Sequence, residues 1–195
     1  MALPQPLRVS ITPTELELIA SEQLVDVVPL ITMEKTAFIS GAYGPLRPPN
    51  KCRIPLWMAV NLKLKKKCHI VPPDWLTVEF LQDRLSEETS EPEFSRLPFR
   101  FAEIARAILD VASDDVQNAE KVRSLLKDLR EARQSKSRDG LSQIDNSELS
   151  LPNLCLMEIN EIRPYFVKAM NVFTQLKGQP EAINKDAAHE DDNDA

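Results

Sequence analysis

Residues Arg53 to Trp75, RIPLWMAVNLKLKKKCHIVPPDW, constrain the fold more than any other stretch, because an apolar face, a cationic cluster and a double-proline break succeed one another without a gap. Pro55 suits the first turn of a helix, where its fixed φ is already correct and its missing N–H has no intrahelical partner to lose. From there Leu56, Val60, Leu64 and Cys68 recur every four residues and Trp57 widens the stripe, while Asn61, Lys63 and Lys67 lie off it. Alternation of Leu56, Met58, Val60, Leu62 and Leu64 also fits a buried strand; the proline start and the length favour helix. Pro72 and Pro73 end the element, since neither can donate a hydrogen bond and each drives its predecessor to an extended conformation. Asp74 is placed to cap the next helix.

Upstream, Met1–Ile11 reads as a flexible arm containing Pro4 and Pro6. Thr12, Pro13 and Glu15 spell a capping box with proline at the first helical position, opening a short helix whose apolar side is Leu16, Leu18, Ile19 and Ala20. Leu24–Ile31 and Ala37–Ser40 suit strands, with Met33, Glu34 and Lys35 as a hairpin connection. GAYGPLRPPN, Gly41–Asn50, is a turn-rich loop that leads to an edge segment near Arg53. A helix and two or three short strands bury too little surface to stand alone, so this module should lean on something.

Beyond Pro73 the period is helical throughout. Asp74–Glu88, Phe99–Ala112, Val116–Arg138 and Leu151–Leu176 each carry one apolar stripe, the last interrupted near Pro164. Breaks fall at Thr89–Pro98, at Ser113–Asp115 and at Gly140 with the polar run Ser142–Ser150. The expected class is α+β, with a small α/β domain over residues 1–70, a mainly helical domain over 71–177, and a disordered acidic tail over 178–195. The formal charge of −6 is concentrated in that tail, where Glu181, Asp186, Glu190, Asp191, Asp192 and Asp194 face only Lys185. The body is therefore nearly neutral, and net charge demands neither nucleic acid nor an anionic membrane as a partner.

Residue chemistry argues against catalysis. Cys52, Cys68 and Cys155 have no CxxC spacing, only His69 and His189 accompany them, and free thiols in a reducing compartment are the expected state. No metal and no cofactor is expected: with four glycines there is no GxGxxG and no GxxxxGK. Cys68 and His69 are adjacent, and neighbouring side chains on a helix diverge by about 100° and cannot share a proton. Glu158 and Glu161 lie a turn apart but lack a companion histidine element, so a solvated helix edge is preferred to a metal or acid–base pair. No stretch approaches the ~20 apolar residues of a membrane span, and the opening residues lack the pattern of a leader peptide. A soluble, intracellular protein is expected.

Two basic clusters are the rival signal, Lys63, Lys65, Lys66 and Lys67 in one and Lys121, Arg123, Lys127, Arg130, Arg133, Lys136 and Arg138 in the other. Such clusters can neutralise phosphates, which makes a stand-alone nucleic-acid-binding protein the alternative function. Glu120, Asp128, Glu131 and Asp139 are interleaved in the second, and no aromatics alternate with the cations as a base-stacking platform needs. Leu154, Leu156, Met157, Ile159 and Ile162 surround more than one face of the last helix. Either it sits at the centre of its own bundle or its second face meets a partner.

The run PLWMAVNLK, the KC after it and VPPDWLTVEFL resemble one subunit type of the eukaryotic GINS complex, the partner of Sld five number two family. ELELIASEQLVDVVPLI, ISGAYGPLRPP, ASDDV with VRSLLKDLREARQSK after it, and LMEIN resemble successive blocks of the same family in the same order, covering about Glu15 to Leu176. The resemblance implies a small α/β domain and then a helical domain, assembled with three other GINS subunits into a heterotetramer. It further implies a nuclear, non-catalytic scaffold that joins the Mcm hexamer and the RecJ-like Cdc45 protein in the replicative helicase and touches the replicative polymerase indirectly, with DNA bound at most weakly. Carried over by motif position, Leu56, Trp57, Leu62 and Trp75 would hold the two domains together. Leu125, Leu129, Leu156, Met157 and Ile159 would lie in or near the packing between subunits, and Lys63, Lys65, Lys66 and Lys67 would face the Mcm ring or DNA.

Overall fold

The computed structural model describes residues 11–142 and 152–177; the expected arm (save Ile11), the polar run before the last helix (save Ser142) and the acidic tail lie outside them. Helix α1 (Pro13–Ser21) opens with the capping box in full, the Thr12 hydroxyl accepting from the Glu15 N–H and the Glu15 carboxylate from the Thr12 N–H. The rest of the first part holds five strands, β1 (Leu24–Pro29), β2 (Thr36–Phe38), β3 (Gly41–Tyr43), β4 (Cys52–Pro55) and β5 (Cys68–Ile70), with α2 (Leu56–Leu64) between the last two. The second part comprises α3 (Val78–Ser90), α4 (Phe101–Val111), a single 3-10 turn at Ser113–Asp115, α5 (Ala119–Ser142) and α6 (Leu156–Lys177).

β1 is the centre of an antiparallel sheet ordered β4-β1-β5, pairing Val25 with Ile54 on one side and Val27 with Ile70 on the other. It does not form the expected hairpin with β2. That hairpin lies later, β2 with β3, turning at Ile39–Ser40 so that Phe38 opposes Gly41. Gly41 takes φ +146°, a conformation open to glycine and strained for other residues, and this fixes the turn at its position.

The Arg53–Trp75 stretch departs from its expected form beyond Leu64. Leu56–Leu64 is helical, with Pro55 as the last residue of β4 and the cap of α2, but the helix stops at Leu64 and not at the prolines. Lys66 turns at φ 56° and the chain returns along β1 as β5. Cys68 is therefore a strand residue, buried beside the Ala59 carbonyl, and burial raises its thiol to about 11. Asp74 does not cap α3; Thr77 does, accepting from the Phe80 N–H.

One continuous core runs through both parts, from Ala20, Val27, Ile54, Leu56 and Ile70 to Leu81, Ile104, Ile108, Leu125, Leu129 and Cys155. The α/β module thus leans on the bundle, with α1 and α2 both packed on α4. Leu56 is fully buried there, and Leu62 and Trp75 are half-buried against it. Trp57 has a different office. Its half-buried ring makes edge contacts with Phe38 and Tyr43 at 5.3 and 6.4 Å between centroids, pinning the β2–β3 hairpin to α2. A fully buried tryptophan truncation costs about 3–5 kcal/mol; half-burial reduces the expectation for Trp57→Ala to roughly 2–3 kcal/mol. Urea unfolding measures that loss, and limited proteolysis should cut first within Thr36–Tyr43.

Candidate functional site

The junction between the two parts is ionic as well as apolar. Asp115, on the turn after α4, accepts from the Ile70 N–H at 2.8 Å and from the His69 ring at 2.8 Å, and pairs with Lys63 Nζ at 2.8 Å. Lys63 also reaches Asp114 at 2.8 Å. Burial opposes ionisation of Asp115, but these donors together outweigh it and hold its carboxyl below the ordinary range. The expectation that Lys63 faces Mcm or DNA is corrected, because its amine is nearly buried in this latch. Lys65, Lys66 and Lys67 remain exposed.

A second ionic centre lies inside the bundle. Arg133 and Glu88 have fully buried side chains and pair at 2.8 Å. Arg133 also grips Glu158 through two nitrogens, donates to the carbonyls of Ser95 and Asn153, and lies over the Phe94 ring at 4.9 Å. Lys136 adds a pair with Glu88 at 2.7 Å. Desolvation opposes the charges of Glu88 and Arg133, yet their partners win, so Glu88 is held below and Arg133 above its ordinary pKa. The guanidinium is the meeting point of α3, the loop after it, α5, the turn before α6, and α6. The second basic cluster is accordingly no open phosphate track. Arg133 is internal, Arg130 pairs with Glu161, Lys127 with Glu131, and Arg123 with Asp110 and Glu120. Glu158 is a largely covered arginine partner and not a solvated edge, while Glu161 pairs with Arg130 at an exposed one.

Glu103 on α4 is buried, and neither carboxylate oxygen has a hydrogen-bond partner among the described residues. Burial pushes its carboxyl up; Arg100 opposes, and Glu158 and Glu17 add to the rise. A carboxyl that holds its proton more tightly when folded favours folding at acid pH and costs stability as pH rises through its unfolded and then its folded pKa. Glu103→Met should therefore stabilise the chain by roughly 1–2 kcal/mol near neutral pH, with the gain shrinking toward about pH 5. Melting curves across that range check both the sign and the trend.

The apolar surface is carried by α6. Leu156, Met157 and Ile162 are half-buried, Ile159 is 42% exposed and Met170 41% exposed. On a helical wheel Leu156, Ile159, Ile162, Phe166, Val167 and Met170 fall within an arc of roughly 140°. Near its start α6 is tied down by Arg130, Arg133 and Gln134, by the Leu156 N–H to the Phe99 carbonyl, and by Asn160, which both donates to and accepts from the Ile11 backbone. Past Tyr165 no hydrogen bond or ion pair joins α6 to another element among the described residues. Beside its start a groove of about 340 Å3 opens between α4 and α5, floored by Phe101, Ala105, Leu109, Leu126 and Met157. Leu125 and Leu129, expected in or near the packing between subunits, are buried in this chain's own core. That expectation is corrected for their side chains; only the α5 surface beside them is open to a neighbour.

No group of three or more His, Cys, Asp or Glu able to hold a metal ion occurs among the described residues, and no helix among them is long and apolar enough to cross a membrane. Cys155 is buried beside Arg133 and Glu158, its thiol pushed up to about 12 chiefly by desolvation. A small α/β module welded to a helical bundle, with Arg133 and Asp115 at ionic centres that tie its elements together and a last helix that keeps exposed apolar side chains, defines the chain as an assembly module. Two family models divide it: the PSF2 N-terminal domain matches residues 12–71, and the GINS complex protein helical bundle domain matches residues 75–177. The chain is 43% identical to the DNA replication complex GINS protein psf2 of Schizosaccharomyces pombe, over 88% of this chain and 93% of that one. Identity is 36% to the Candida albicans PSF2 protein, over 100% and 97% of the two chains, and 34% to the human one, over 84% and 90%. The chain belongs to the PSF2 family of GINS complex proteins.

Proposed function

We propose that this chain is a non-catalytic scaffold subunit of a GINS heterotetramer acting in chromosomal DNA replication in the nucleus. Its partners are three sister subunits and, through them, the Mcm hexamer and Cdc45 of the replicative helicase. The observation that carries the reading is α6, a 22-residue helix whose distal half has no hydrogen bond or ion pair to another element among the described residues while carrying a largely apolar arc that only Arg163 interrupts before Met170. An arc of that length exposed in water is costly, and a sister helix is the occupant that covers it. In this reading Leu156, Met157 and Ile159 begin the interface and the groove beside Met157 extends it. Leu56, Leu62 and Trp75 hold the two parts at the angle the assembly needs, with Trp57 fixing the hairpin beside them.

The mechanism is geometric. A rigid body that touches several components lets modest interfaces act at high effective concentration and stabilises one arrangement of a motor without touching its chemistry. The internal pairing of Arg123, Lys127, Arg130, Arg133 and Lys136 favours this over the nucleic-acid alternative, since few of those cations are free to neutralise phosphate. Reconstitution tests it: purified motor components should unwind DNA when the four-subunit complex is supplied and fail when this chain is left out. Undiminished unwinding without the chain would refute the reading.

A further inference from the structure

The turn that ends α2 is built against conformational preference. The Lys66 N–H bonds to the Lys63 carbonyl at 2.8 Å and the Lys67 N–H to the Leu62 carbonyl at 2.9 Å, the paired hydrogen bonds of a Schellman stop. The residue in the left-handed position of that stop is ordinarily glycine, because a side chain there is strained. Here it is Lys66, at φ 56°. Cations near a helix C-terminus do offset its dipole, yet Lys63 and Lys65 already serve the dipole, and neither has to adopt a left-handed backbone. A long cationic side chain at the one position where glycine is least strained points to a use for that side chain.

The surroundings supply the use. Lys65, Lys66 and Lys67 are exposed and none has an ion-pair partner among the described residues. Lys51, just before β4, is also exposed and unpaired among them. In the sheet register Cys52 faces Val27 and Cys68 faces Pro29, so Lys51 lies toward the same end of the sheet, on the far side of β1. Two large apolar side chains stand in the same patch: Leu64, 65% exposed, immediately before the turn, and Leu30, 52% exposed, whose N–H bonds to the Lys67 carbonyl. Cations interspersed with exposed leucines match a carboxylate-rich segment carrying apolar anchors. A single-stranded nucleic acid would gain from stacking rings, and none of these residues is aromatic.

We propose that the Lys65–Lys67 turn, with Lys51, Leu30 and Leu64, is a docking point for an acidic, leucine-bearing segment of a protein outside the tetramer. This deepens the assembly reading, on which it rests only for the identity of the partner. The full chain in its complex with the sister subunits is titrated with two labelled probes, a peptide of about 16 residues made of glutamates with two leucines, and an oligothymidylate of about 30 nucleotides. The peptide should bind more tightly than the oligonucleotide and weaken as salt is raised. Lys66→Gly should melt about 1–4 °C higher, because the strain is relieved, while binding the peptide about threefold more weakly. Lys65→Ser with Lys67→Ser should weaken it about tenfold or less, with melting unchanged. Absence of peptide binding, tighter binding of the oligonucleotide, unaltered peptide affinity in Lys66→Gly, or a Lys66→Gly melting point at or below the parent would each overturn the proposal. Because none of these readouts needs the motor, failure of helicase assembly is told apart from failure at this turn.

Discussion

Arg133→Ala is expected to cost roughly 3–5 kcal/mol and to leave the helical part unable to fold stably. The substitution leaves Glu88, whose side chain has no solvent exposure, with only Lys136 and Ser95 as partners, and removes the main partner of Glu158. It also takes the arginine donor away from the carbonyls of Ser95 and Asn153 and opens a void beside Phe94. Breaking a buried pair on one side is more damaging than replacing both members, since the remaining carboxylate stays desolvated with its compensation reduced. Arg133→Met combined with Glu88→Gln should therefore recover a substantial part of the loss. Denaturant unfolding of the two variants separates an ionic keystone, for which the double substitution is milder than the single one, from a simple packing site, for which it is not.

The second large effect is on assembly. Ile159→Asp with Met170→Asp places two charges on the apolar arc of α6 at positions already open to solvent in the chain itself, so the fold should be untouched. Burying those charges against a sister helix, together with the lost apolar contact, should weaken the complex roughly a thousandfold or more. Co-purification with the sister subunits should fail while circular dichroism and melting of the variant chain match the parent. Leu156→Asp with Met157→Asp should also abolish co-purification, but both side chains are half-buried, so that pair perturbs this chain's own groove as well. Tetramer recovered in normal yield with both exposed positions charged would remove α6 from the interface.

Much of this architecture is legible in the sequence because local chemistry and global structure agree. The Thr12–Glu15 box, the helix after Pro55 and the four apolar stripes beyond Pro73 are each written in a few neighbouring residues. The features that escape are non-local or too short. β5 is three residues between a lysine run and a double proline, and so small a piece shows no period of its own. The β2–β3 turn depends on Gly41, which sits inside a loop that reads as turn-rich throughout. Arg133 is one of many basic residues along its helix, yet the spacing Leu125, Leu129, Arg133 puts it on the buried stripe. A cation falling in step with core leucines is the signal that could have revealed it. Asp115 gives no such hint, because its partners Lys63, His69 and Ile70 lie about 45–52 residues away in sequence and meet it only through the fold.

The interface residues divide on the same physical line. Leu125 and Leu129 belong to a stripe that one domain can fill by itself, and it does. Ile159 and Met170 belong to a helix with more apolar surface than its own bundle covers, and apolar periodicity is the same for a central helix and a projecting one. The structure places its beginning inside and its end outside.

The most direct measurement is the native mass of the chain co-expressed with its three sister subunits. One copy of each in a single particle, stable through dilution and lost when Ile159 and Met170 are charged, is the predicted result. A chain that leaves the column alone as a stable monomer, with its sisters in separate fractions, would contradict the account.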